Sequence, residues 1–232
     1  MASPSVASRS KTSSRIDTDD VILARALRFS AWARRNVRLV IIGTLIGAVL
    51  LAGLLYYRIY QGQRAERAAL RFIAVEQTVA SGNTALAQRD LADFARRYDG
   101  TVEADQARLM LARLHLEAGA PRRAIPVLGE VTDDLDDPIG VQGAMLLAAA
   151  QSQDGQRDAA IRTYLRVADG AEMKYQRTEA LEAAALLRQQ AGDWTGAAEL
   201  YRRLVEQSEE GSFERAVFEM RLAEAQGRAG TR

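Results

Sequence analysis

Few side chains in this sequence have the types and spacing that chemistry requires. His115 is the sole histidine and there is no cysteine, so neither a thiol nucleophile nor a Cys/His metal site can be assembled. Flanked by Leu114 and Leu116, His115 reads as a structural residue of a helix. The acidic run Asp133, Asp134, Asp136 and Asp137 has the composition of a cation site. It lacks the D-x-D-x-D-G order and distal glutamate of a calcium loop, and so reads as a solvated linker. No G-x-S-x-G, P-loop or G-x-G-x-x-G occurs. Arg202 and Glu206 stand four residues apart, which is the spacing of an ion pair on a helix surface rather than of an acid and its base. The expectation is a protein that is not an enzyme and holds no cofactor or metal.

The elements around these residues fall on either side of one apolar run. Leu39 to Tyr57 carries no charge over nineteen residues, which as a helix covers roughly 28 Å, close to the hydrocarbon thickness of a bilayer. A buried helix of a soluble domain seldom stays apolar all round for five turns, so residues 39–57 are expected to be a transmembrane helix in contact with the lipid bilayer. Gly43 and Gly47 form a GxxxG pair inside it. That spacing lets a second helix approach closely and admits a homodimer without requiring one, glycine being common in spanning helices.

Charge divides unevenly about this run. Residues 1–57 hold eight Lys/Arg against three Asp, and the remainder holds 23 against 27 Asp/Glu. The larger part is mildly acidic, which argues against nucleic acid as a partner. Arginine outnumbers lysine 29 to 2, a bias typical of GC-rich bacterial genomes. Residues 1–18 are rich in serine and threonine and are expected to be a disordered cytoplasmic arm. Residues 19–38 alternate Val21, Ile22, Leu23, Leu27 and Trp32 with Arg25, Arg28, Arg34 and Arg35, the pattern of a juxtamembrane amphipathic helix or of a helical run-in to the span. The long preceding arm and the absence of an A-x-A site argue against a cleaved signal peptide. Arg34, Arg35 and Arg38 crowd one end of the run against Arg58 at the other, favouring a cytoplasmic amino terminus.

From residue 58 to 232 the sequence is helix-forming almost throughout and repeats itself. Gly82, Gly119, Gly155, Gly192 and Gly230 are spaced by 37, 36, 37 and 38 residues. Five residues after each of the first four comes alanine (Ala87, Ala124, Ala160, Ala197), and nine after comes a large side chain (Leu91, Leu128, Tyr164, Tyr201). Seven before each glycine stand Val75, Ala112, Ala148, Ala185 and Ala223. Glycine ends a helix, small residues let the next helix pack back on it, and the large residue fills the wedge between successive pairs. Five such sets in register indicate an all-α chain: one transmembrane helix followed by a helical-hairpin solenoid.

These residues resemble tetratricopeptide repeats, helix-turn-helix units with small residues at the crossing. Where that family places a bulky aromatic in the first helix this chain has Arg71, Arg108, Ala144, Leu181 and Glu219, and a later tyrosine is replaced by Thr78, His115, Gln151 and Arg188. The resemblance implies a protein-binding groove on the first helices, thirteen, ten, six and three residues before the turn glycine. On this chain that set is Gln106, Leu109, Arg113 and Leu116; Gln142, Met145, Ala149 and Ser152; and Glu179, Glu182, Leu186 and Gln189. The whole layout resembles the YfgM-like ancillary subunits of the Sec translocon. That likeness implies repeats on the periplasmic side of the bacterial inner membrane, with the translocon and periplasmic chaperones as partners. A structural subunit clamped to a membrane-complex core, or a regulator of envelope synthesis or cell division, fits the same layout.

Overall fold

The structure, a computed structural model, describes residues 36–132 and 134–230. The proposed arm and amphipathic helix, apart from its last residues, lie outside the described residues. The described residues are helical and contain no strand. The helices are α1 (Val37–Ala80), α2 (Thr84–Arg97), α3 (Val102–Glu117), α4 (Pro121–Gly129), α5 (Pro138–Gln153), α6 (Arg157–Gly170), α7 (Lys174–Gln190), α8 (Trp194–Gln207) and α9 (Phe213–Ala229). The chain divides into two compact units, Met1–Tyr60 and Gln61–Arg232.

In the first unit α1 presents apolar surface in every direction. Its described large apolar side chains from Val37 to Tyr60 are between 51% and 72% exposed. The helix is long and apolar enough to cross a membrane. Gly43 and Gly47 are open, with nothing within 4 Å of where a methyl group would stand. The helix itself continues well past Tyr57, so the apolar run is the opening part of a longer element.

In the second unit the helices form hairpins: the end of α1 with α2, α3 with α4, α5 with α6, and α7 with α8, closed by α9. Capping residues explain several starts. Asn83, Thr101, Asp193 and Ser212 each accept a hydrogen bond from a backbone N–H of the first turn, and Pro121 and Pro138 occupy positions where a missing N–H costs nothing. The stops are glycines. Gly119, Gly155 and Gly192 have φ of +67°, +79° and +75°, and the next residue's N–H reaches back to His115, Gln151 and Arg188 carbonyls at 2.8, 2.8 and 2.9 Å. This left-handed closure satisfies the orphan carbonyls of the helix end and turns the chain through a hairpin. Gly230 departs from the series: its φ is −79° and it merely caps α9.

The small and large slots of the repeat fill as their chemistry requires. Ala87, Ala124, Ala160 and Ala197 are 1%, 0%, 0% and 0% exposed, and Leu91, Leu128 and Tyr201 are buried in three successive cores. Burying each such leucine stabilises the fold by about 1.5–3 kcal/mol. Each core joins a hairpin to the first helix of the next. Ala68, Phe72, Leu91 and Phe94 meet Ala107 and Leu111 of α3, and Ala112, Ala124 and Leu128 meet Leu147 and Ala150 of α5. The array is therefore held by nearest-neighbour packing.

Candidate protein-binding surface

The twelve side chains expected to line a groove lie on α3, α5 and α7, and their exposure separates them. On α3, Gln106 and Arg113 are exposed and Leu116 is half-buried. Leu109 is 4% exposed and packs in the core with Ala112, Leu128 and Leu147. It is a packing residue and presents no surface to a partner, sharing that core with Val131 of the α4–α5 connection. On α5, Gln142 is exposed while Met145, Ala149 and Ser152 are half-buried. On α7, Glu179 and Glu182 are exposed and Leu186 is 47% exposed. Gln189 is half-buried, and its Oε1 accepts a hydrogen bond from the Tyr201 hydroxyl at 3.1 Å.

Two clefts bring part of this set together. One of 380 Å³ lies between α5 and α7 and is lined by Ile139, Gln142, Met145, Tyr175, Gln176 and Glu179, among others. The next, 260 Å³ between α7 and α9, is lined by Glu182, Phe213, Glu214, Val217 and Phe218. Gln106, Arg113 and Leu116 of α3 line neither. The set implied by the family resemblance lacks Tyr175, Phe213 and Met220, which are 66%, 85% and 62% exposed. A signal existed for them: extending the same stripe back one turn reaches Tyr175, and carrying it into α9 reaches Met220. A larger recess of 590 Å³ occurs between the end of α1 and α2. Three arginines and two aspartates line it, and Arg96 pairs with Asp93.

The departures from the repeat pattern are structural. Arg108 fills the slot where an aromatic is usual. It is 6% exposed, donating from Nε to Glu130 at 2.8 Å, from Nη1 to Asp105 at 3.0 Å and from Nη2 to Asp99 at 2.6 Å. Burial alone would lower its pKa, but the hydrogen bonds to Asp99 and Glu130 outweigh this and raise it, so it stays cationic and ties α3 to the segments on both sides of it. Burial pushes the Asp105 carboxyl up in spite of that arginine. Gln151 accepts from the Thr163 hydroxyl at 2.8 Å, and Arg188 pairs with Asp193 at 2.9 Å. His115 is held below its ordinary pKa by burial first and by the Arg123 charge second. In the acidic linker, Asp134 accepts from the Asp136 N–H and Asp137 caps α5; Asp133 lies outside the described residues. Among the described residues no three His, Asp or Glu side chains converge as ligands of a metal ion.

Comparison with known proteins agrees with this architecture. Residues 30–172, more than half of the chain, match the tetratricopeptide repeat-like domain. No protein of curated function matches the chain. Among solved structures it is similar to the nearly identical TPR-like repeats of a protein from Podosopora anserina designated a kinesin light chain, with a TM-score of 0.54 at 18% identity, covering 72% of this chain and 89% of that one. A single-residue variant of those repeats gives a TM-score of 0.53 at 18% identity with the same coverage. At that identity the likeness concerns the fold.

Proposed function

Because this chain belongs to the tetratricopeptide repeat-like family, whose fold typically serves as a non-enzymatic scaffold for protein–protein interaction, we propose that it is a membrane-anchored scaffold whose first-helix face binds a segment of another protein. The observation that carries this reading is the presence in one chain of an exposed apolar helix up to Tyr60 and a repeat unit whose α5–α7–α9 face holds open clefts. Among the described residues of its own unit nothing covers this helix, and lipid is the solvent that such a surface suits. The clefts combine apolar contact from Met145, Tyr175 and Phe213 with polar groups from Gln142 and Glu179, the mixture that peptide-binding grooves use; Leu186 is exposed on the same helix face as Tyr175 and Glu179.

Within that function we read the chain as an ancillary subunit of the Sec translocon that works with periplasmic chaperones on exported proteins. What supports this is the layout: an arginine-rich segment, one apolar span and then repeats. The test is a photo-crosslinking residue at Met145 or Leu186 in living cells, with Arg162, exposed on a second helix, as the control. Capture of translocon, chaperone or exported chains from the first two positions and little from the third is expected. Equal labelling from all three would remove the groove, and capture of one fixed membrane-complex subunit would replace the translocon reading.

A further inference from the structure

The clefts between α5 and α7 and between α7 and α9 share one electrostatic feature. Every charged residue that lines them is a glutamate: Glu179 in the first, Glu182 and Glu214 in the second. Among the described residues none of the three has an ion-pair partner. The arginines nearby in sequence are otherwise engaged. Arg177 donates to the Ala171 and Glu172 carbonyls at 2.9 and 2.5 Å, Arg215 bonds Glu219 and the Val205 carbonyl, and Arg221 and Arg228 both reach Glu224. Tyr175, Glu179, Glu182 and Leu186 follow one another at the spacing of a single helix face, so acidic and apolar groups alternate along it. Tyr175, Leu186, Phe213 and Met220 supply exposed apolar surface of the kind that isolated domains usually bury.

From this arrangement we infer that the face running from α5 to α9 takes a cationic amphipathic segment of a partner protein, its Lys or Arg side chains meeting Glu179, Glu182 and Glu214 and its apolar side chains entering the two clefts. The inference rests on the scaffold function proposed above and specifies the chemistry of what is bound. Exposed carboxylates with no cation of their own repel an acidic segment and attract a basic one over a range of about 8 Å at physiological salt. An anionic lipid surface is disfavoured at this face for the same reason.

The absence of cysteine makes a site-specific measurement direct. The full chain carrying Leu186→Cys, labelled with a benzophenone maleimide and held in phosphatidylcholine nanodiscs, is offered three peptides of equal length and leucine pattern whose polar positions are all Lys, all Gln or all Glu. Capture at residue 186 is then followed against peptide concentration. The Lys peptide is expected to half-saturate at a concentration at least tenfold lower than the other two, with the advantage shrinking as salt is raised. Adding Glu179→Lys, Glu182→Lys and Glu214→Lys should transfer the preference to the Glu peptide, whereas Glu199→Lys, Glu206→Lys and Glu209→Lys should leave it unchanged. Should the charge-reversed chain fail to fold, the three Glu→Gln replacements should at least abolish the preference. Equal capture of all three peptides would overturn the cationic partner and leave the groove standing. Capture of none would overturn both.

Discussion

Gly140 shows how one residue type can be required at one position and dispensable at another. A methyl group on Gly140 would stand 1.7 Å from the Asp134 carbonyl oxygen, because the linker passes directly over the first turn of α5. On Gly227 of α9 a methyl group would meet nothing within 4 Å. Alanine is ordinarily the better helix former by about 1 kcal/mol. Gly140→Ala should therefore destabilise the chain by about 1–3 kcal/mol, as overpacking does, whereas Gly227→Ala should be neutral or gain up to about 1 kcal/mol. Thermal melts of both variants in the same detergent check this; equal shifts of the same sign would contradict the linker packing.

Arg108 and His115 are two further residues whose roles are decided by their surroundings. Removing Arg108 leaves Asp99 and Glu130 with side chains 68% and 62% exposed, so both can be rehydrated. Arg108→Ala is then expected to cost about 1–3 kcal/mol, the value of lost charge-assisted hydrogen bonds, and not the larger penalty of a stranded buried charge. A loss above that range would mean that the carboxylates are less accessible than they are here. For His115 the folded pKa lies below the unfolded value of about 6.5. Between those two values the unfolded chain binds more protons, so stability rises with pH there and falls as pH drops below about 6.5. His115→Gln should flatten that segment of the stability–pH curve, and an unchanged slope would show that other groups set it.

At the scale of helices, the same repeat slot has opposite consequences according to whether a second helix covers it. Ala148 and Ala185 are each 0% exposed, as is Ala160 in the slot five residues after the turn glycine; Ala223, the α9 equivalent of Ala148 and Ala185, is exposed. Leucine at 148, 160 or 185 should overpack a helix crossing and cost about 1–3 kcal/mol. Leucine at 223 should change stability by less than about 0.5 kcal/mol. Denaturant midpoints of the four variants give the comparison, and a loss at 223 as large as at 185 would mean that another surface covers α9. Because each core joins only neighbouring hairpins, the Ala148 and Ala185 variants should also loosen local hydrogen-exchange protection most strongly in their own pairs.

For the whole molecule the deciding question is where the repeat unit lies. On the membrane-anchored function proposed above, Arg34, Arg35 and Arg38 at one end of the apolar run favour that end in the cytoplasm, and residues 61–232 are predicted to lie on the other side. Alkaline phosphatase fused after Arg232 should then be active. An inactive fusion expressed at a normal level would reverse the topology and move the binding face to the cytoplasm.

Periodicity by itself determined the helical hairpins, the turn glycines and the apolar slots, since these follow from local rules: a left-handed stop needs glycine, and a helix crossing needs a small side chain. The resemblance to the repeat family marked the stripe that includes Gln142, Met145, Glu179 and Leu186. Tertiary structure decided the rest. Leu109 satisfies the stripe's spacing yet is buried, because Leu128 of α4, Val131 of the following connection and Leu147 of α5 gather in one core with it. Arg108 stands in the slot of a family aromatic and is buried there as a cation, because Asp105 of its own helix is joined by Asp99 and Glu130 from two other segments. Glu179, Glu182 and Glu214 form a single acidic face only once α7 and α9 lie side by side. A sequence pattern records which face of a helix each residue occupies, whereas which faces meet, and which charges find no partner, depends on the packing of separate segments.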